Sequence, residues 1–152
     1  MGRSLSIHTA RPSDLGSLLM LYAELNPADP TIDPTVAVNR LEAILAQPGM
    51  QIFIGFAAGQ PVATVTLVVV PNLTRNGASY ALIENVVTSA AHRKKGYGAT
   101  LIAHAVERAW QAGCYKIMLL TGSKDPATLR FYESCGFTQD KTGYQVRRHP
   151  GR

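Results

Sequence analysis

One α+β domain built on a mixed sheet is what this 152-residue sequence predicts. Three observations predict it. Apolar runs at 51–57, 62–70 and 80–88 are separated by the turn signals Gly59-Gln60 and Asn76-Gly77, which makes an antiparallel meander. The last run passes through a basic loop with two glycines into an amphipathic helix. A further apolar stretch at 116–120 follows that helix, and a helical crossover sets two strands parallel.

Taken in order, residues 4–9 read as a first strand in which Leu5 and Ile7 alternate with polar neighbours. Pro12-Ser13-Asp14 starts a helix carrying Leu15, Leu18, Leu19, Tyr22 and Leu25 at helical spacing. Three prolines and two aspartates make 26–34 a loop. A second helix spans about 35–47, with Val38, Leu41, Ile44 and Leu45 on one face, and Pro48-Gly49 stops it. The strand at 51–57 lacks strict alternation, as expected of one buried on both faces. The helix from about Gly96 turns Leu101, Ile102, Ala105, Val106, Ala109 and Trp110 inward and Thr100, His104, Glu107, Arg108 and Gln111 outward. Asp125-Pro126 opens a further helix through Ser134, and Tyr144 to Arg147 complete a final strand region after a turn at 141–143. With no repeat, linker or low-complexity tract, residues 1–152 read as a single domain with about four helices.

The composition narrows the function. Hydrophobic residues make up 46% of the chain, which argues against disorder. The longest apolar run, 62–70, is about half of what a membrane helix needs, and the N-terminus lacks a signal-peptide core, so a cytoplasmic protein with no membrane partner is expected. The sequon at Asn72-Leu73-Thr74 is then idle. Cys114 and Cys135 lack metal-ligand and CxxC spacing and read as small buried thiols. His8, His92, His104 and His149 form no metal-ligand pair with an acid, so no metal is expected. A net charge of +5 suits an acidic ligand, but it is not interleaved with the aromatic platform that nucleic-acid modules use.

The chemistry concentrates at Arg93-Lys94-Lys95-Gly96-Tyr97-Gly98. A strand that runs through a glycine loop into a helix N-terminus gathers unpaired N–H groups and the positive end of the helix dipole, so a phosphorylated ligand is expected at 93–100. A Rossmann fingerprint would need glycine where Leu101 stands, and a P-loop would need Gly-Lys-Ser/Thr. What remains is R-x-x-G-x-G. On that motif alone, an anion cradle and an ordinary strand–helix turn with a solvated basic edge both stand.

Context decides between them. The loop resembles the Q/R-x-x-G-x-G/A acyl-CoA loop of the GCN5-related N-acetyltransferase (GNAT) superfamily. The stretch Asp125-Pro126-Ala127-Thr128-Leu129-Arg130-Phe131-Tyr132-Glu133-Ser134-Cys135-Gly136-Phe137 resembles that superfamily's N-x-x-A-x-x-F-Y-E-x-x-G-F helix. Ile83-Glu84-Asn85-Val86-Val87 and Gly113-Cys114-Tyr115-Lys116-Ile117 further resemble the glucosamine-6-phosphate N-acetyltransferase branch. The chain departs from that branch at Leu119-Leu120-Thr121, where the branch has a Leu-Asp-Cys stretch. It departs from the superfamily at Asp125, which replaces the usual asparagine and brings a negative charge near CoA.

The resemblance implies a GNAT-type, mostly antiparallel sheet in which a bulged strand at 82–88 splays from the parallel strand at 116–120. It implies acetyl-CoA as cosubstrate. The backbone of Val86, Val87 and Thr88 would face the thioester and pantetheine, and a Val86 or Val87 N–H would stabilise the tetrahedral intermediate. Arg93, Lys94, Lys95, Gly96, Tyr97, Gly98, Ala99 and Thr100 would cradle the pyrophosphate. Glu84, the one acid in its strand, is the candidate general base, its pKa raised by partial burial, with a strand-edge carboxylate paired to a cation as the alternative. Tyr132 is the candidate acid for the leaving thiolate, or else a core tyrosine. Asp29 and Asp33 could meet an ammonium substrate or simply cap and turn the chain.

The expected activity is direct transfer of acetyl to a primary amine of a small molecule in a ternary complex. The acceptor is left open among amino sugars, aminoalkyl phosphonates, other metabolites and protein amines. Resemblance to the branch implies a homodimer through the C-terminal strand region. A non-catalytic acyl-CoA-binding regulatory module is the rival, and retention of Glu84 and Tyr132 argues against it.

Overall fold

Proline and aspartate set the starts of the two leading helices. Pro12 opens a one-turn 3-10 segment, Pro12–Asp14, in which the Asp14 carboxylate accepts from the Arg11 N–H at 2.8 Å and leads the chain into α1 (Leu15–Leu25). Asp33 caps α2 (Pro34–Ala46), accepting from the N–H groups of Thr35 and Val36 at 2.9 and 3.1 Å, with Pro34 at the first helical position where no donor is lost. The capping reading of Asp33 therefore describes its side chain; Asp29 lies exposed in the intervening turn.

The computed structural model describes residues 4–149. They group into two compact units, one ending at Leu119 and the other beginning at Leu120. The first unit holds a five-stranded sheet in the order β1 (Ser6–Thr9), β2 (Met50–Ala57), β3 (Gln60–Val70), β4 (Tyr80–Thr88) and β5 (Ile117–Met118). The first four strands pair antiparallel, and β4 pairs parallel with β5 across α4 (Tyr97–Gln111), as the meander and crossover signals predict.

Both faces of the sheet are covered. Ile52 and Ile54 of β2 pack with Ala10, Leu18 and Leu41 under α1 and α2. On the other face, Phe53 meets α4, which buries Leu101, Ile102, Ala105 and Ala109. This two-sided burial explains the unbroken apolar run of β2. Thr64 and Thr66 of β3 lie opposite Ile54 and Ile52; the Thr64 hydroxyl donates to the Phe53 carbonyl at 2.9 Å.

The end of α2 depends on a glycine. Gly49 has φ of +78°, its carbonyl accepts from the Val69 N–H at 2.7 Å, and a Cβ there would collide with the Val69 carbonyl oxygen. Between β3 and β4 the one-turn segment α3 (Thr74–Gly77) carries the reversal at Asn76-Gly77. Arg75 and Asn76 are both left-handed, the backbone of a tight reversal, and the Asn72 amide donates to Thr74 and Ala78 across it.

Several inward assignments are corrected. Trp110 is 48% exposed and Val38 is also exposed, whereas Leu21 and Ala37 are buried. Both exposed side chains lie at the margin of their helix's apolar stripe, where the ~100° turn per residue carries them past the sheet. His104, assigned outward, is half-buried edge-on to Phe53, with ring centroids 4.7 Å apart. The expected strand at 116–120 shrinks to Ile117–Met118.

In the second unit, α5 (Pro126–Ser134) is capped by Asp125, whose carboxylate accepts from the Ala127 N–H at 2.9 Å. The final strand expected at Tyr144 to Arg147 is not formed. Tyr144 and Val146 are 91% and 97% exposed, and among the described residues no neighbouring strand offers the backbone a ladder.

The half-buried setting of His104 has a measurable consequence. Burial first, then the Arg108 charge, holds its imidazole below the ordinary histidine value. The unfolded chain therefore takes up this proton at higher pH than the folded one. The associated stability is complete above about pH 6.5 and is lost as pH falls from there through the lower folded value. His104→Leu should flatten that loss; thermal melts at about pH 7.5 and about pH 5.5 check it.

Candidate active site

The site begins with an asparagine in a strand of β-branched residues. Asn85 has φ of +51°, a left-handed conformation that asparagine tolerates better than its valine neighbours. Across the ladder, Thr66 pairs with Glu84 and Thr64 pairs with Val87, so Asn85 and Val86 together oppose Val65 alone. This is a β-bulge, which bends the strand and leaves an extra backbone unit outside the ladder.

The parallel pairing with β5 covers Ala81 and Leu82 only and does not continue along Ile83–Thr88. Among the described residues the edge of β4 is thus unpaired from Ile83, two residues before the bulge. An unpaired strand edge offers amide donors and acceptors to an extended ligand.

Glu84 immediately precedes the bulge. It is exposed, so the partial burial expected from the sequence is absent. Its register partner Thr66 is buried, with a hydroxyl oxygen that has no hydrogen-bond partner among the described residues. Nearby, burial raises the Tyr22 phenol above its ordinary value.

Past Thr88 the chain turns through the 3-10 segment Ala90–His92 into the basic loop. Lys94 and Gly96 are left-handed, at φ of +60° and +80°, and Lys95 between them is not. Alternation of this kind turns successive N–H groups toward a common point, the construction of an anion nest. Gly96 caps the fifteen-residue α4, and its carbonyl accepts from the Thr100 N–H and hydroxyl, both at 3.0 Å. This left-handed stretch runs directly into a helix N-terminus, where orphan donors and the helix dipole favour an anion.

The cations are held on the same loop. The Arg93 Nε donates to the Thr88 carbonyl at 3.2 Å, and the Lys95 Nζ donates to the Ala91 carbonyl at 3.4 Å. The side chains of Arg93, Lys94 and Lys95 are exposed. Val87 and Tyr97 bury theirs, so these two can present only backbone to a ligand. His92 is half-buried, and its Nδ1 is buried without a hydrogen-bond partner among the described residues.

The sequence-predicted residues from Glu84 to Thr100 thus form one continuous surface-bearing run in the first unit. Asp125 and Tyr132 belong to the second unit, where Tyr132 packs edge-on against Phe131 and Phe137. Burial, with the nearby Cys135 as the smaller cause, holds the Tyr132 phenol above its ordinary value. Cys114 and Cys135 are both free, and burial raises both thiols, which suppresses thiolate chemistry at neutral pH.

The model of the acetyltransferase (GNAT) family matches residues 18–137. The chain belongs to the GNAT family. It is an N-acetyltransferase, and acetyl-CoA is the cosubstrate that this family uses.

Particular relatives agree. The glucosamine 6-phosphate N-acetyltransferase of Trypanosoma brucei brucei is 31% identical over 137 residues, which cover 88% of each chain. A solved structure from Agrobacterium tumefaciens str. C58, of a protein proposed to be an acetyltransferase, is 55% identical with a TM-score of 0.91 and covers 94% of this chain and 99% of that one. The structure of the glucosamine-6-phosphate N-acetyltransferase of Arabidopsis thaliana, at 21% identity and a TM-score of 0.86 over 96% and 99% of the two chains, shares the fold.

Sequence reasoning overlooked two features of this GNAT site. One is the left-handed Asn85, which an asparagine amid Ile83, Val86 and Val87 signals by its conformational preference. The other is Glu24 of α1, whose carboxylate reaches Ser89 and Ala90. No local pattern announces a contact across 65 residues of sequence.

Proposed function

We propose that this N-acetyltransferase moves the acetyl group of acetyl-CoA directly to the primary amine of a small molecule. The observation that carries this reading is the bulge at Asn85, set between Glu84 and the left-handed loop at Lys94 and Gly96. It joins a candidate base, an open amide edge and an anion nest on one short run of chain.

In this reading the pyrophosphate rests on the N–H groups and cations of Arg93 to Thr100, with pantetheine along the open edge of β4. Glu84 accepts the amine's proton through a water, which its exposure to solvent makes available. The amine attacks the thioester carbonyl carbon while a Val86 or Val87 N–H stabilises the oxyanion. The C–S bond then breaks, and the CoA thiolate takes the Tyr132 proton. Burial raises the Tyr132 pKa and makes the phenol a weaker acid than the thiol it protonates, so the transfer depends on a short hydrogen bond to the departing sulfur. The raised thiols of Cys114 and Cys135 favour this direct route over an acyl-cysteine.

An amino sugar leads among acceptors because of what the Trypanosoma relative is named for. Leu120, 72% exposed where the glucosamine-6-phosphate branch carries its acid, points to a recognition different from that branch. The two units act as one transferase domain, since the family match runs across both. A homodimer follows from the same branch, and two free cysteines suit a reducing cytoplasm.

The test is release of free CoA across a panel of glucosamine, glucosamine 6-phosphate, an aminoalkyl phosphonate, a polyamine and a lysine peptide, beside calorimetry of CoA binding. Turnover on a small amine is expected. Turnover confined to the peptide would move the reading to protein amines, and CoA binding with no turnover on any amine would move it to a regulatory module.

A further inference from the structure

Glu24, near the end of α1, reaches the point at which β4 leaves the sheet. Its Oε1 accepts from the Ser89 hydroxyl at 3.0 Å and its Oε2 accepts from the Ala90 N–H at 2.6 Å. Ser89 is itself buried; its N–H donates to the Val62 carbonyl and its carbonyl accepts from the His92 N–H, each at 2.8 Å. Next along the chain, Arg93 folds back to the Thr88 carbonyl. The root of the basic loop is therefore held from three directions: by β3, by its own turn and by α1.

The charges facing Glu24 are those of Arg93 and His92. The Ala90 N–H first, with Ser89, Arg93 and His92 adding, holds its carboxyl below the usual carboxylate range, so it is ionised across the neutral range.

We infer that Glu24 is a positioning residue for the acyl-CoA loop, setting the bonded geometry from which Lys94 and Gly96 form the nest. This rests on the reading that residues 93–100 hold the CoA pyrophosphate. Three adjacent cations repel one another, and two left-handed residues in four give the loop little regular structure of its own. Without its anchor the loop would have to be ordered by the ligand, at a cost in affinity. Glu24's charge by itself disfavours a pyrophosphate nearby, so its benefit lies in hydrogen bonding. Glu24→Gln keeps an acceptor for the Ala90 N–H and a donor that the Ser89 hydroxyl can accept.

The discriminating quantity is kcat/KM for acetyl-CoA divided by kcat/KM for acetyl-pantetheine, a donor with the thioester and no pyrophosphate. Glu24→Ala should lower this ratio about tenfold, the loss of a hydrogen-bonded charged group. The change should fall in KM for acetyl-CoA, with kcat within about twofold. Glu24→Gln should restore most of the ratio. Glu24→Asp, which retracts the carboxylate by one methylene, carries the same expectation as alanine if the alanine variant is unstable.

Arg93→Ala combined with Lys95→Ala serves as the reference for the loop. If that reference lowers the ratio while Glu24→Ala reduces activity equally on both donors, Glu24 is only a structural strap and the inference is overturned. If the reference leaves the ratio unchanged, the loop does not hold the pyrophosphate and the inference falls with it.

Discussion

Replacing Glu84 with glutamine should lower kcat by about a hundredfold or more, the usual contribution of a positioned general base. The substitution is nearly isosteric. Glu84 is exposed and sits on a strand that buries Ala81, Ile83 and Val87, so stability should hold to within about 0.5 kcal/mol. KM for acetyl-CoA should also hold, since the proposed pyrophosphate cradle is residues 93–100 and does not include Glu84. The measurement is the pH–rate profile of the variant with the best amine of the panel. A base role predicts that turnover recovers as pH rises and more amine arrives deprotonated. Turnover within about twofold of the parent at neutral pH would remove Glu84 from the mechanism.

The double substitution Arg93→Ala and Lys95→Ala should weaken CoA binding by about a hundredfold, two charge-assisted contacts at roughly 1.5 kcal/mol each. Both side chains are exposed, so part of this attraction is screened, and the difference between parent and variant should shrink as salt is raised. KM for the amine should change far less. Arg93 also returns its Nε to Thr88, so its removal frees loop backbone as well as charge. Calorimetry with CoA at low and high ionic strength reads both effects. An equal loss of CoA and amine binding would indicate damage to the fold.

Much of this geometry was legible in the sequence because it is local. The meander between β2 and β4 followed from Asn76-Gly77 and the two-residue turn at Gly59. The parallel pair followed from the helix between β4 and β5. The loop's R-x-x-G-x-G pattern marked the passage from strand to helix N-terminus, where Gly96 turns left-handed. Lys94 does as well, which no glycine announces.

What escaped was tertiary. Whether Trp110 lies inside depends on how far the sheet extends beneath α4, and whether Glu84 is buried depends on what covers the edge of β4. The strand expected at Tyr144 to Arg147 had the right residue types but lacked a partner strand among the described residues. β-propensity describes fitness for a pleated surface and does not supply one. Glu24 is the clearest case, because its two hydrogen bonds join α1 to a turn on the far side of three strands of sequence.

The most direct test of where the cosubstrate docks is amide hydrogen exchange with and without acetyl-CoA. The loop and bulge reading predicts slowed exchange concentrated at Val86 to Thr100, across the open part of β4, the nest and the first turn of α4. Binding that leaves those amides unprotected, with the change appearing instead over α1, α2 or β2, would contradict it.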